Sequence, residues 1–292
     1  MIHKRTTREL VEDGLIRIIL LLAIIATVYP FLFVLSLSVS DPLEVSRMSV
    51  WLLPKGFSLE AYKTAFNNPD MFISYYNTIF YTVTGTTLNV FLTVLAGFTL
   101  ARRTFGGRNI VMIIIVFTMF FSGGLIPEYL LVKNLGLYDT RWAIILPTAA
   151  NAFFIIIART FFQGIPESLY ESAFMDGAND MTILQKIAIP LSKPILAVLT
   201  LFYAVNHWNS YFPSLIYLSK ASLQPIQIYL MKLLIQADNT QALGSLEGVD
   251  RMLQSLQIKY AVIIIVILPI VMIYPLLQRF FIKGVLIGSI KG

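Results

Sequence analysis

Six stretches of mainly apolar residues divide this chain, each about the 20 residues that a helix needs to cross the ~30 Å hydrocarbon core of a bilayer. They run over about Leu15–Val39, Tyr75–Ala101, Asn109–Val132, Trp142–Phe162, Pro194–Leu218 and Tyr260–Phe281. No other constraint on folding is as strong, because backbone groups in lipid must be satisfied within helices or closed barrels. Composition agrees: 57% of the 292 residues are hydrophobic and 13% charged, where a soluble domain carries about 25% charged residues. The expected fold is all-α, a polytopic membrane protein with six transmembrane helices, residues 1–292 forming one transmembrane domain. The first run is too long for a signal-peptide core, and no small-residue cleavage site clearly follows it, so a retained helix is expected. The third run is interrupted by Ser122-Gly123-Gly124 and Pro127, where it either ends early or breaks.

Charge sets an orientation. Lys4, Arg5, Arg8, Arg17, Arg102, Arg103, Arg108, Arg159, Lys186, Lys193, Arg279, Lys283 and Lys291 all fall on one side, in short segments. The other nine of the 22 basic residues are spread over longer loops with Asp41, Glu44, Glu60 and Asp70. The positive-inside rule then puts both termini and the loop 163–193 in the cytoplasm. It also accounts for the net charge of +6 without nucleic-acid binding. Two long loops, about Ser40–Ser74 and Ser219–Lys259, lie outside; the second has helical-looking stretches around Ile226–Ala237 and Arg251–Ile258. They are read as a platform for a soluble binding protein, as a folded cap over the helix ends, or as both.

The loop 163–193 is polar between apolar neighbours. Pro166 suits the first turn of a helix, Glu167 and Glu171 its positive end, and Gly177 a left-handed stop. Asn179 or Asp180 can cap a second helix, which Pro190 and Pro194 limit. The segment therefore reads as a compact cytoplasmic helix-turn-helix. It serves either as a grip on a soluble partner or as a solvated connection on the membrane surface.

At these residues the chain resembles the membrane subunits of binding-protein-dependent ABC importers. The cytoplasmic signature of that family stands here as Glu171-Ser172-Ala173, Asp176-Gly177-Ala178 and Ile189-Pro190-Leu191, with Ser172 in place of the usual alanine. Phe121–Thr140, His207–Phe212 and Lys283–Gly292 carry further likeness, which looks closest to the maltose-importer branch and to importers of complex oligosaccharides. The resemblance implies a permease in the bacterial plasma (inner) membrane. A second, homologous permease, expected to differ from this one, would complete the pore. An ATPase dimer would bind ATP and Mg, and an extracytoplasmic sugar-binding protein would deliver an oligosaccharide. It also implies that the loop docks on the ATPase as a coupling helix, with Glu167, Tyr170, Glu171, Ser172, Ala173, Phe174, Met175, Asp176, Gly177 and Ala178 at the contact. Glu171 would touch the ATPase, while Ala173 and Gly177 would allow close approach. The C-terminal tail, through Gly288, Ser289 and Lys291, would add a second contact.

The chain carries no phosphate-binding loop of the Gly-x-x-x-x-Gly-Lys-Ser/Thr type, no His-Glu-x-x-His zinc motif and no Gly-x-Ser-x-Gly elbow. It has no cysteine and only two histidines, so no metal site and no catalysis of its own are expected. Charge within the spans is scarce, which argues against an ion-coupled carrier. An importer of a non-sugar solute stays open as an alternative.

Two polar stripes suggest a pathway. The spacing of Asn206, Asn209, Ser210, Pro213 and Tyr217 places them on one helical face of the fifth span, and Trp208 and Tyr211 add rings that stack on sugars. These residues either line the path or bond between helices. In the second span, Thr82, Gly85, Thr86, Asn89 and Thr93 form a stripe that reads first as close helix packing, with Asn89 a candidate path residue. His207 reads as a hydrogen-bonded structural group rather than a proton relay.

Overall fold

The computed structural model describes residues 7–240, 256–273 and 275. Among them every regular element is helical. In chain order they are α1 (Thr7–Ser38), α2 (Pro42–Ser46), α3 (Glu60–Phe66), α4 (Pro69–Ala101), α5 (Arg108–Phe120), α6 (Leu125–Asn134), α7 (Trp142–Ile145), α8 (Ala152–Gln163), α9 (Glu167–Met175) and α10 (Asp180–Ile183). A π-helical turn (Leu184–Ala188) leads to α11 (Ile189–Leu191), α12 (Lys193–Trp208) and α13 (Phe212–Tyr217), and a 3-10 turn (Ala221–Leu223) leads to α14 (Ile226–Thr240). The last described helix is α15 (Leu256–Ile273). Among the described residues, the stretches Val11–Ser38, Pro69–Ala101 and Leu256–Ile273 are long and apolar enough to cross a membrane. Three further pairs bend sharply: α5 with α6 by 115°, α8 with α9 by 72°, and Asp180–Leu191 with α12 by 84°. The end of the expected sixth span, the tail with Gly288, Ser289 and Lys291, and most of the Arg251–Ile258 stretch lie outside the described residues.

The chain divides into two compact units: Met1–Pro69 with Leu230–Leu268, and Asp70–Tyr229 with Pro269–Gly292. In the first unit, α1 exposes Leu15, Leu22 and Phe31 and buries Leu37. A helix apolar on all sides suits a nonpolar surrounding. Leu37 closes a small core with Val45 and Val50, against which Phe33 and Tyr260 pack. Ser40 ties the following loop, its Oγ accepting from the Lys55 N–H at 3.1 Å.

The second unit is built on α4. Its buried face includes Gly85, Thr86, Asn89 and Thr93 of the stripe read from the sequence, with Asn77, Tyr81 and Gly97 beside them, while Thr82 is half-buried. Packing is close: a Cβ at Gly97 would lie 2.7 Å from Ala158 Cβ on α8. Phe98 meets Phe162 and Tyr170 edge-on, and Thr93 and Tyr203 share a hydroxyl hydrogen bond of 2.7 Å. One core therefore joins α4, α8, α9 and α12.

Three of the expected spans are broken. The Trp142–Phe162 stretch is helical only at α7 and α8, with 146–151 irregular between them. A proline ring clashes with the carbonyl four residues back, so Pro147 stops α7, and Asn151 restarts the chain by accepting from the Phe154 N–H at 3.1 Å. The Pro194–Leu218 stretch ends its helix at Trp208 and resumes at Phe212, because Pro213 cannot continue a helix through Asn209. The third run breaks where the glycine pair lies. Pro190, expected to limit the second loop helix, is instead passed by the π turn. The Ile189 N–H reaches back to the Leu184 carbonyl, and the wider turn makes room where proline removes a donor.

Candidate functional site

The loop after α8 folds as two short helices around Gly177. Pro166 stands just before α9, and Glu167 occupies its first turn. At the other end the Ala178 N–H bonds the Ala173 carbonyl at 2.9 Å and the Gly177 N–H bonds the Phe174 carbonyl at 3.0 Å. These two bonds are the Schellman pattern, which needs a left-handed residue; Gly177 supplies it at φ +78°. Of the two possible caps of the second helix, Asn179 takes the role, accepting from the Thr182 N–H at 2.8 Å.

Helical spacing splits the loop residues into two sets. Tyr170 and Ala173 are buried and belong to the core of α4, α8 and α12, with Ala178 packed against it. The three-residue spacing of Tyr170 and Ala173 puts both on the inner face of α9. Glu167, Glu171, Ser172, Phe174, Met175, Asp176 and Gly177 face outward. Met175 is 88% exposed and Phe174 42%, so the tip presents apolar side chains among carboxylates. Beneath it the Arg102 guanidinium lies 4.3 Å from the Tyr170 ring centroid and 5.2 Å from that of Phe174. Burial raises the Tyr170 hydroxyl above its usual pKa, against the opposing pull of Arg102.

The second candidate site is a pocket of about 280 Å³ at the break between α12 and α13. Asn206, Asn209, Ser210 and Tyr211 line it, with Thr148 and Pro213. The unwound segment, not one helical face, brings them together. Asn89 and Trp208 do not join them. Asn89 is wholly buried: its Oδ1 pairs with His207 Nε2 at 2.6 Å, and its amide N–H donates to the Thr148 carbonyl. Trp208 is buried edge-on against Tyr75, centroids 5.8 Å apart. His207 is thus a bonded structural group. It also explains Gly85, where a Cβ would lie 2.4 Å from the imidazole Nε2.

Several polar anchors escaped the sequence reading. Asn77 donates to the Ser222 carbonyl at 2.8 Å, Tyr81 to the Leu223 carbonyl at 2.7 Å, and Thr78 Oγ1 accepts from the Ile226 N–H at 2.8 Å. Arg141 donates to Asn77 Oδ1 at 3.2 Å and lies 4.6 Å from the Phe80 centroid. Asp139 accepts from the Ser219 and Lys220 N–H groups at 3.0 and 2.9 Å. These bonds, led by the Lys220 N–H, hold its carboxyl below the usual carboxylate value. The only sequence cue was amide and hydroxyl residues near the start of an apolar run.

Known proteins resemble this chain over most of its length. The polygalacturonan/rhamnogalacturonan transport system permease protein YtcP of Bacillus subtilis is 43% identical over 280 residues, 96% of this chain and 98% of that protein. Protein LplC of the same organism is 43% identical over 270 residues, 91% of this chain and 90% of that protein. A chain in the crystal structure of a bacterial ABC transporter involved in the import of the acidic polysaccharide alginate superposes with a TM-score of 0.88 at 33% identity. The match covers 95% of this chain and 99% of that one. Residues 80–287 match the family described as binding-protein-dependent transport system inner membrane component, and with these relatives the chain belongs to that family, the permease subunits of ABC importers.

Proposed function

We propose that this chain carries an oligosaccharide inward as one half of an ABC importer's pore. The observation that carries the substrate class is the pocket at the α12–α13 break, lined by the amides of Asn206 and Asn209, the hydroxyls of Thr148 and Ser210, the phenol of Tyr211 and the His207 ring, with no carboxylate, lysine or arginine. Such groups exchange hydrogen bonds with sugar hydroxyls, and rings stack on sugar faces. Relatives named for polygalacturonan/rhamnogalacturonan transport and alginate import support the class. In this reading the chain makes six spans, with both termini and the 163–193 loop in the cytoplasm. A second permease, related but distinct, completes the pore, and an extracytoplasmic sugar-binding protein delivers the substrate.

The drive comes from outside the chain. A separate ATPase dimer holds ATP and Mg, and the exposed side of α9 docks into it as a coupling helix. Glu171 and Met175 make that contact, and the buried side, Tyr170 and Ala173, passes the displacement into α4, α8 and α12. Ligand and ATP then each favour one global state, which is what coupling requires.

The test is uptake of labelled oligosaccharides, neutral and uronate-containing, by proteoliposomes of the assembled complex with its binding protein. ATP-dependent accumulation of an oligosaccharide, lost in Glu171→Lys together with Gly177→Pro, is expected. Accumulation of a peptide or polyamine instead, or uptake untouched by both substitutions, would overturn the substrate or the coupling assignment respectively.

A further inference from the structure

A second cavity, of about 680 Å³, lies beside the buried face of α9 where α4 and α8 end and α5 begins. Arg102, Arg103 and Arg108 line it, with Glu167, Gln163 and Tyr170. Three guanidiniums face one carboxylate, so the cavity carries excess positive charge. Arg102 is only 7% exposed, yet its Nε and Nη1 and the Tyr170 hydroxyl have no hydrogen-bond partner among the described residues. Leaving buried donors unmade is costly, more so for a charged group. The rings of Tyr170 and Phe174 offset part of that cost for Arg102, but they accept no N–H in the guanidinium plane. An anion with several oxygens would complete the site, and arginine forks match phosphate geometry. The α9 N-terminus, which no side chain caps, adds favourable potential for an anion.

A separate apolar groove of about 720 Å³ lies against the same turn, lined by Ile157, Phe161, Leu169, Leu191 and Ile195. The two spaces share Gly164, Ile165 and Pro166 as a common wall. An anionic basin next to an apolar groove, at the ends of apolar helices, has the chemistry of a phospholipid.

We propose that this chain binds a phosphate-bearing anion in the arginine cavity, supplied by the headgroup of an anionic phospholipid whose acyl chain lies in the adjoining groove. The bound headgroup would sit under Tyr170 and so brace α9 against the core.

The test is native mass spectrometry of the assembled importer, taken from detergent micelles mixed with phosphatidylglycerol and phosphatidylcholine in equal amounts. Retention of phosphatidylglycerol in preference to phosphatidylcholine is expected. In Arg103→Gln with Arg108→Gln, both outward enough to leave folding intact, about 30-fold weaker retention is expected. Ile157→Trp, narrowing the groove, should weaken retention of long-chain more than of short-chain phosphatidylglycerol. Equal retention of the two lipids, or retention unchanged in the arginine variant, would overturn the proposal. Binding of inorganic phosphate in the cavity without lipid would overturn the lipid source. The inference rests on reading the long helices as membrane spans and not on the coupling role. A complex that loses lipid selectivity but keeps ATP-driven uptake leaves the transport reading standing.

Discussion

The imidazole of His207 on α12 lies against Gly85 on α4, so close that a Cβ there would sit 2.4 Å from Nε2. The same nitrogen pairs with Asn89 Oδ1 at 2.6 Å, one helical turn further along α4. The two helices are thus locked by one ring whose shape needs glycine on one side and an amide on the other. Gly85→Ala is expected to destabilise the protein by about 1–3 kcal/mol through overpacking. His207→Ala should recover part of that loss in the double variant, since the two sites share one contact. Thermal unfolding of the purified complex measures both; additive losses would refute the lock.

The pocket residues should behave differently. Asn209→Leu and Ser210→Ala change groups that line open space, so folding should be little affected. Each is expected to raise the half-saturating substrate concentration for uptake about 2- to 10-fold, the worth of one hydrogen bond. Asn89→Leu, which strands the His207 ring and the Thr148 carbonyl, should lower the yield of folded protein instead. Uptake kinetics alongside expression levels separate the two.

Gly177 closes α9 in the left-handed region. Gly177→Ala should cost about 1–2 kcal/mol locally and Gly177→Pro, whose φ is fixed near −65°, should abolish the Schellman turn. Assembly with the ATPase, read by co-purification, is expected to weaken in that order. Glu171→Lys should weaken it without altering helicity. Undiminished assembly in Gly177→Pro would remove the turn from the coupling mechanism.

Asp139 gives a pH dependence of defined sign. Its carboxyl is held below its ordinary value of 3.8 by the Lys220 N–H first, then by the Lys220 ammonium and the Ser219 N–H. A depressed acid stabilises the fold at pH above its unfolded value and loses that contribution as pH falls through the folded one. Asp139→Asn keeps the side-chain shape and tolerates the residue's φ of 58°. Wild type should therefore be the more stable near neutral pH, and the gap should close below about pH 3.8. Unfolding curves of both proteins across that range would show it; a gap independent of pH would contradict the clamp.

Tyr81→Phe removes the only donor bonded to the Leu223 carbonyl among the described residues. A loss of about 1–2 kcal/mol is expected for the stranded carbonyl. Thr87→Val, an exposed residue on the same helix, serves as the control and should change little.

Much of the local structure was legible. Long apolar runs specify helices because no other short-range structure satisfies the backbone in lipid, and α1, α4 and α15 lie where those runs lie. The α9 turn was legible too, because proline, glycine and asparagine act on their own few backbone bonds. Pro147 and Pro213 were visible as residues, yet the apolar pattern on both sides of each concealed the breaks at 146–151 and 209–211.

Which polar residues are structural and which face open space was not legible. Asn89 and Asn209 are the same residue type in similarly apolar surroundings. One is sealed between α4 and α12 and spends its amide on His207 and Thr148, while the other lines a pocket. The sequence by itself determined a helical membrane permease with a compact polar turn, because hydropathy and capping act over a few residues. Only the tertiary structure decided that Tyr170 and Ala173 look inward, that Arg102 is buried with donors unmet among the described residues, and that the pocket forms at an unwound segment. Burial and hydrogen-bond satisfaction depend on groups brought together from α4, α8 and α12, far apart along the chain.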